Sequence, residues 1–541
     1  MDVQKQRRKK RLTKEQKRRI MRKRRMKKVS LIVLTLAALV LAGALIGIGI
    51  GRMGHAPHPL ASATLPIPTA SPIPTATPLP TPTPTPEPTQ VPEPKTITIT
   101  AVGDCTLGGN TNDGGDGEKR FMKQFKEVGP DYYLQNFREL FESDDLTIAN
   151  LEGPLTTATD KRSGRTFNFR GGSEYAKILS GSGVDVCSIA NNHAFDFGYG
   201  GLEATLTAVN KAGFVNSGVG LNLDEAAAPA YFETKHGRVA LISTVSTFKN
   251  EAAMAGRQSR RVPGRPGLNA LRLKEYVEVP PEEFRMLRNV ADVCGINAQN
   301  NIIRAEGYIT TAAREDAAEF GNKLNFVCGT KIAYHTEPNE NDMERIARAI
   351  YEAQAQADYI LVSIHAHELA GFSKETPGEF LVDFAHRCID MGAHAVIGHG
   401  PHLLRPLEIY KGCPIFYSLG DFMLHNESMT HAPEDMFVLQ GMTSEDTLRD
   451  YFCKRSANYT RGLLADYRMM ESVIPYFEIE DDKMVRLELL PIALGVEQPR
   501  YRNGNPFFAP DRGIIERYAE MSAPYGTKIT IDERGIGVVE L

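Results

Sequence analysis

The sequence contains no tryptophan among its 541 residues, which excludes stacking of carbohydrate on indole rings, although 19 Tyr and 24 Phe leave other aromatic surfaces. Cysteine is scarce, with seven residues and no C-x-x-C pair. An odd number of scattered cysteines does not form the framework of a disulfide-stabilised domain. Cys187 and Cys413 lie in apolar stretches and are predicted to be buried free thiols.

A large excess of one charge is also absent, because the net charge of the chain is −3. This near balance hides an asymmetry: residues 1–28 contain sixteen Lys and Arg against Asp2 and Glu15, while the remainder contains 47 basic and 64 acidic residues. A basic arm of this kind can bind nucleic acid. The next segment favours a membrane instead, because residues 29–51 carry no charge and are long enough to cross a hydrocarbon core of about 30 Å.

Basic residues before a single apolar span predict a cytoplasmic N-terminus and an exported remainder. We therefore predict a cytoplasmic arm (1–28), a single transmembrane helix (29–51) and a head outside the cell membrane, with no nucleic-acid partner. A cleaved signal peptide is the alternative, but the span exceeds the usual signal core of about 7–15 residues. Residues 52–95 are rich in Pro and Thr, which predicts an extended linker between membrane and head.

From residue 96 onward, strand patterns alternate with helix patterns, which predicts an α/β head with a parallel sheet covered by helices. Five apolar runs in this head end in residues that can bind metal. The runs are 96–102 before Asp104, 146–149 before Asn150 and Glu152, 186–190 before Asn191, Asn192 and His193, 359–364 before His365, and 395–397 before His399.

The carboxyl ends of strands in an α/β sheet meet in one crevice, so these residues are expected to lie together. Carboxylates, imidazoles and amide oxygens suit hard or borderline divalent cations, and several strand ends together can hold two ions. Any single one of these turns is equally typical of an ordinary hydrogen-bonded loop. Their repetition favours a metal site. Cys105, beside Asp104, is either a thiolate ligand or a bystander.

Two regions interrupt the regular pattern. The segment 249–340 is predicted to be an insertion, and it carries five arginines around a Pro- and Gly-rich turn. These arginines, with Arg265 as the candidate, either bind carboxylate or phosphate groups of a substrate or form a solvated loop. Residues 426–541 are predicted to be a C-terminal extension that contains β-hairpins.

Six short motifs follow one another along the head. They are AVGD at 101–104, ANLEG at 149–153, NNHAFDFG at 191–198, the segment that starts at His365, GHGPH at 398–402 and SLGDF at 418–422. In this order they resemble the motifs of the CapA family of poly-γ-glutamate capsule biosynthesis proteins, whose domain is similar to calcineurin-like metallophosphatases. The resemblance implies a four-layer α/β/β/α sandwich over residues 96–425 with the motif loops at one edge.

The resemblance also implies a role for each motif residue. Asp104 and His402 would bind a first metal ion, and Glu152 would bridge to a second. His193 would donate a proton or stabilise an oxyanion, oriented by Asp196. The remaining assignments from the resemblance are Asn192, His365 and His399 as ligands of the second metal. Asn191 and Arg265 of the insertion are the expected substrate contacts.

One or two divalent ions (Mn, Fe or Zn) are thus expected, with hydrolysis or transfer at a phosphoryl or acyl centre. The substrate would be an anionic envelope polymer, such as poly-γ-glutamate, or its precursor. The alternative is a non-catalytic subunit that binds or exports the polymer. Either protein would work at the membrane with other membrane-bound capsule synthesis subunits.

The chain departs from the metallophosphatase pattern at several positions. Thr106 stands where a ligand histidine is usual, Glu152 is longer than the usual aspartate, and one extra residue precedes His402. His367 follows the strand that ends at His365, at a place where the family segment usually carries an aromatic residue. It either supplies a ligand or faces solvent. Asp421 replaces the commoner asparagine of the last motif.

Overall fold

The computed structural model describes residues 96–541 apart from 113–115, 249, 311–313, 322–323, 426–433, 444, 459–465, 496–501 and 510. The predicted arm (1–28), transmembrane helix (29–51) and linker (52–95) lie outside the described residues. Within the part of the chain that the structure describes, no helix has both the length and the apolar character needed to cross a membrane.

Strands and helices alternate through the described part of the chain, as the sequence predicts. The strands are β1 Thr96–Thr106, β2 Gly109–Asn110, β3 Leu146–Glu152, β4 Phe169–Arg170, β5 Val186–Ser188, β6 Val215–Ser217, β7 Val219–Gly220, β8 Ala230–Thr234, β9 Gly237–Val245, β10 Gly267–Leu268, β11 Leu273–Val279, β12 Ala317–Phe320, β13 Leu324–Cys328, β14 Ala333–Pro338, β15 Tyr359–His365, β16 Ala395–His399, β17 Leu404–Tyr410, β18 Cys413–Leu419, β19 Asp421–Leu424, β20 Glu471–Glu480, β21 Lys483–Ala493, β22 Phe507–Phe508, β23 Ile529–Ile531 and β24 Gly537–Val539. The helices are α1 Asp116–Val128, α2 Arg138–Ser143, α3 Ala176–Ser180, α4 Gly198–Ala212, α5 Leu223–Ala227, α6 Pro281–Val293, α7 Ala298–Ala305, α8 Glu340–Gln354, α9 Glu379–Asp390, α10 Glu434–Leu439, α11 Leu448–Arg455 and α12 Arg512–Ser522.

Two large sheets form the centre of the fold. The ten-stranded sheet runs in the order β23-β24-β21-β20-β1-β3-β5-β6, with β19 beside β1 and β22 beside β21. The six-stranded sheet runs in the order β17-β18-β16-β15-β9-β8. Strands β1, β3, β5 and β6 are mutually parallel in the first sheet, and β9, β15, β16 and β18 are parallel in the second. The predicted mixed α/β fold is confirmed.

The alternation of side chains along each strand explains the layers. Ile97 and Ile99 of β1 share one buried cluster with Leu361 of β15, so the two sheets pack face to face. The opposite face of the first sheet packs on α2, α3 and α4, and the opposite face of the second packs on α8 and α9. The layers therefore follow in the order helix, sheet, sheet, helix, and parallel strand ends from both sheets lie at one edge.

The C-terminal hairpins do not form a separate layer. Strand β20 pairs with β21 and also lies antiparallel to β1, and β23 pairs with β24. The sequence boundary expected at 425 therefore falls inside one continuous sheet. Main-chain hydrogen bonds across β1 and β20, which a linear pattern does not show, join the two parts.

The insertion (249–340) is more regular than the sequence indicated. It contains a four-stranded sheet in the order β12-β13-β11-β14, with α6 and α7 nearby in sequence. Its strands are mostly half-buried or exposed, as in β11 and β13. Partial burial weakens the apolar alternation from which strands are identified, so the sequence did not predict this sheet.

Candidate metal centre

The strand register brings the predicted site residues together. Asp104 of β1 lies opposite Asn150 of β3 on one side and Asp421 of β19 on the other. In the second sheet, His365 of β15 lies opposite His399 of β16. Because both sheets end at the same edge of the sandwich, their polar strand ends form one buried site.

Four side chains form what we name the acidic cluster: Asp104, Glu152, His402 and Asp421. One possible ligand atom from each lies within 4.8 Å of the others. The Nδ1 atom of His402 is 2.9 Å from Asp421 Oδ1. Asp104, Glu152 and Asp421 are fully buried, with at most 1% of each exposed.

Hydrogen bonds hold the carboxylates of this cluster in place. Asp104 accepts from the Gly400 N–H at 3.0 Å and from the Asn150 amide at 2.6 Å. Thr106, where the resemblance leads us to expect a histidine, donates its hydroxyl to Glu152 at 3.2 Å. Thr106 therefore orients a candidate ligand.

Burial and the mutual repulsion of its carboxylates make the acidic cluster a favourable site for a cation. Burial, with the charges of Glu152 and Asp421 beside it, raises the pKa of Asp104 well above its usual value. Burial also raises the pKa of Glu152. Burial lowers the pKa of His402, but the charge and hydrogen bond of Asp421 and the other two carboxylates outweigh it and raise this pKa to about 10. Buried carboxylates are stabilised when they are paired or coordinate a metal ion.

A second group of side chains lies beside the first, and we name it the imidazole cluster: Asn192, His365, His367 and His399. His365 Nε2 is 3.2 Å from His367 Nε2, which is 3.1 Å from Asn192 Nδ2. Burial, with neighbouring imidazoles, lowers the pKa values of His365 and His367, and burial lowers that of His399 to about 3. These imidazoles are neutral, which is the form that binds metal.

The two clusters meet at Asp104 and Glu152. His365 Nδ1 is 3.7 Å and His399 Nδ1 is 3.4 Å from Asp104 Oδ1. His365 Nε2 is 3.9 Å from Glu152 Oε1. A bridging role for Glu152, which the resemblance implies, is compatible with this position between the clusters.

Buried atoms without hydrogen-bond partners test whether metal ions fit here. Five such atoms belong to the two clusters, when partners are sought among the described residues. They are Glu152 Oε1, Asn192 Oδ1, both ring nitrogens of His399, and Asp421 Oδ2. A buried polar atom without a partner is costly, and all five are metal-ligand atoms. The donor set therefore fits divalent metal ions.

His193 stands next to the clusters in a fixed orientation. Its Nδ1 is 2.7 Å from Asp196 Oδ2, and its Nε2 is 4.0 Å from Glu152 Oε1. Arg165 forms an ion pair with Asp196 and donates to the Asn192 carbonyl at 2.8 Å. The Phe169 ring lies edge-on to His193. The imidazole thus presents Nε2 to the metal-binding region and has its other nitrogen on a buried carboxylate.

The backbone around the site is unusually close-packed. A Cβ atom at Gly103 would lie 2.1 Å from the Gly420 carbonyl oxygen, so only glycine fits where β1 passes β19. His402 has a φ of 60°, a left-handed conformation that costs energy for a residue with a side chain. The resulting turn brings the imidazole to Asp421.

Three residues singled out from the sequence contribute no side chain to the acidic or imidazole cluster. Asn191, expected to contact substrate, is fully buried, and its amide group binds the Leu151 carbonyl and the His193 N–H, which ties two loops together. Arg265 is exposed and donates to the carbonyls of Met254 and Glu251. Cys105 is buried in the apolar cluster below the helices, so its thiol lies on the face of β1 opposite the sheet-sheet core.

Arg165 and Arg405 were not among the residues singled out from the sequence, and Asn150 was recognised only as a polar residue at the end of β3. Asn150 lies between Asp104 and His365. Arg405 is fully buried and donates to the carbonyls of Ala366 and His367, which fixes the loop after β15. The sequence signal for the role of Arg405 was its position as a single arginine inside the apolar run of β17, because a buried arginine needs several acceptors.

The fold and the two clusters define the class: a mixed α/β sandwich with a buried centre suited to divalent metal ions. A model of the family described as bacterial capsule synthesis protein PGA_cap matches residues 98–426. This match covers more than half of the chain, and the chain belongs to that family.

Relatives agree with this assignment. The chain is 31% identical to the uncharacterized protein y4sH of Sinorhizobium fredii, over 74% of this chain and 87% of that protein. It is 22% identical to the PGA biosynthesis protein CapA of Bacillus subtilis, over 56% of this chain and 59% of that one. A crystal structure of a hypothetical protein from Thermus thermophilus covers 73% of this chain and 98% of its own, with 12% identity and a TM-score of 0.32. At that score we draw no conclusion from the superposition.

Proposed function

We propose that this protein is a membrane-anchored, extracytoplasmic member of its capsule synthesis family, and that its head is a metal-dependent hydrolase or transferase. The substrate is an anionic envelope polymer, such as poly-γ-glutamate, or its precursor. The observation that carries the proposal is the set of five buried ligand atoms without hydrogen-bond partners among the described residues, gathered around Asp104 and Glu152.

A bound divalent ion would supply Lewis-acid chemistry and lower the pKa of water at the reacting centre. Asp104, Glu152, Asp421 and His402 would hold one ion, and Asn192, His365 and His399 would hold a second. The residues of the chain supply the rest. His193 Nε2, 4.0 Å from Glu152, is placed to give a proton to a leaving oxygen or nitrogen, and Asp196 holds its ring in position.

The membrane anchor and the location of the head rest on the sequence of residues 1–95. A basic arm, an apolar span and a Pro-rich linker in that order support a head that stands away from the outer face of the cell membrane. A head that acts on a polymer at that surface would lie next to other membrane-bound capsule synthesis subunits.

A second candidate function is a polymer-binding or export subunit without turnover. Thr106 favours this alternative, because its side chain contacts Glu152 where metallophosphatases have a further ligand. Both functions need the charged cleft, so the difference between them is turnover.

Elemental analysis of the purified full-length chain tests the proposal, together with an assay for phosphate release from an aryl phosphate and for cleavage of poly-γ-glutamate. We expect about two equivalents of Mn, Fe or Zn and measurable turnover. His399→Ala should lower the metal content and abolish turnover. His236→Ala is the matched control, because His236 is half-exposed and contacts Asp145 outside the site. A metal-loaded chain without turnover on either substrate class would support the binding subunit.

A further inference from the structure

His367 lies inside the site, although the family resemblance assigns it no role. Its Nε2 atom is 3.2 Å from His365 Nε2 and 3.1 Å from the Asn192 amide, and its ring packs edge-on to His402. The sequence left open whether this side chain faces solvent. The structure turns it toward the centre, on the side of the imidazole cluster that faces His402 of the acidic cluster.

These separations fit ligands of one metal ion. Metal–nitrogen and metal–oxygen bonds of about 2.0–2.2 Å place the donor atoms of one coordination sphere about 2.9–4.2 Å apart, depending on the angle. The distances from His365 Nε2 to His367 Nε2 (3.2 Å) and to Glu152 Oε1 (3.9 Å) both fall in this interval. His365 Nε2 is therefore at the spacing of shared metal ligands from donors on two elements, Glu152 at the end of β3 and His367 in the loop after β15.

Asn192 adds an independent observation. Its Oδ1 atom is buried and has no hydrogen-bond partner among the described residues, while its Nδ2 faces His367. The two ends of an amide are assigned from their contacts, and a 180° rotation exchanges them. With the oxygen at the end that faces His367, it would lie 3.1 Å from His367 Nε2, which is the spacing of two ligands of one metal ion.

The main chain of His367 is held from two sides. Its N–H donates to Thr247 Oγ1 at 2.8 Å, and its carbonyl accepts from the buried Arg405 at 3.1 Å. Thr247 in turn donates to Glu368 at 2.9 Å. A ligand that is anchored in this way loses little freedom when a metal binds, as preorganised metal sites require.

We propose that His367 is a metal ligand, which together with His365, Asn192 and Glu152 forms a position with two nitrogen and two oxygen donors beside the acidic cluster. The inference rests on the proposed function, since it deepens the description of the same centre. His367 would also compensate for Thr106. The chain lacks the usual histidine at the end of β1 and has an additional one after β15, so the number of imidazoles at the centre stays the same.

Metal titration of the full-length chain tests this assignment without relying on turnover. Metal-free wild type is titrated with Co²⁺, Zn²⁺ and Mn²⁺ against a competing chelator, and the visible absorption of the Co²⁺ form is recorded. We expect His367→Ala to lose one equivalent or to bind it at least about tenfold more weakly, since even residues that only support ligands contribute about 10–100-fold. The Co²⁺ absorption bands should shift in the same variant.

His367→Gln provides a second variant of similar size, and circular dichroism checks that both fold. His236→Ala is the control and should bind metal as wild type does. Unchanged stoichiometry, affinity and Co²⁺ absorption in both His367 variants would overturn the inference, even if the wild type is an active metalloenzyme. Conversely, loss of a metal in these variants from a wild type without turnover would support the ligand and contradict the proposed catalysis.

Discussion

The acidic and imidazole clusters are neighbours, yet the pKa values of their histidines shift in opposite directions. Three carboxylates surround one protonatable imidazole in the acidic cluster, and the pKa of His402 rises to about 10. Three imidazoles and an amide form the other cluster, where burial lowers the pKa of His399 to about 3. An oxygen-rich group suits a hard ion such as Mn²⁺, and a nitrogen-rich group suits Zn²⁺ or Fe²⁺. The comparison therefore predicts two positions with different metal preferences.

The largest effect should come from Asp104→Asn, which removes a charge where the two clusters meet. We expect turnover to fall by at least about 10³-fold, because a metal ion contributes several kcal/mol of transition-state stabilisation. Elemental analysis should show that Mn is lost before Zn. Asp185→Asn is the control, since Asp185 accepts from Thr147 N–H at the opposite end of the strands. Equal loss of both metals would remove the distinction between the clusters.

His193→Ala should separate chemistry from metal binding. The imidazole faces Glu152 but belongs to neither cluster, so we expect turnover to fall by about 10²–10⁴-fold while both metals remain. Steady-state kinetics and elemental analysis on the same sample measure the two quantities. Unchanged turnover would remove His193 from the mechanism and favour the binding subunit.

Arg165→Gln should have a smaller effect. Arg165 contacts Asp196 and the Asn192 carbonyl, so it positions His193 and one member of the imidazole cluster. We expect about a tenfold loss of turnover and a displaced pH profile, as is typical when a supporting partner is removed. Arg165→Lys should recover part of the activity. A variant with the wild-type pH profile would show that Arg165 only stabilises the loop.

The smallest effect should be a pH dependence of stability in the metal-free chain. His402 has an unperturbed pKa of 6.5 and about 10 when folded, so its stabilising charge is complete below 6.5 and is lost as pH rises toward 10. Asp104 and Glu152 act in the same direction, because their raised pKa values oppose ionisation in the folded chain. We expect Tm to fall by about 2–4 °C between about pH 7 and about pH 9.

Saturating Mn²⁺ provides the control for that measurement. A bound cation would neutralise the carboxylates and displace the His402 proton, so the decline of Tm with pH should disappear. If the Tm of the metal-free chain rises over the same interval, the pKa values of His402, Asp104 and Glu152 are not raised in the folded chain.

The sequence was a good guide to the strand ends and a poor guide to their surroundings. Alternation and apolar runs located β1, β3, β15 and β16. The half-exposed sheet of the insertion was missed. Asn191 illustrates the limit at the site, because its place beside two candidate ligands did not reveal that its own amide binds the main chain.

Local patterns in the chain specify which residues stand at the ends of buried strands, because periodicity and turn chemistry are local properties. Tertiary contacts alone select which of these residues meet. Pairing of β19 with β1 brings Asp421 to Asp104 across more than 300 residues, and the loop after β15, held by Arg405, turns His367 inward. Neither contact leaves a local pattern. The burial that shifts the pKa values of the two clusters likewise arises only when both sheets close over the site.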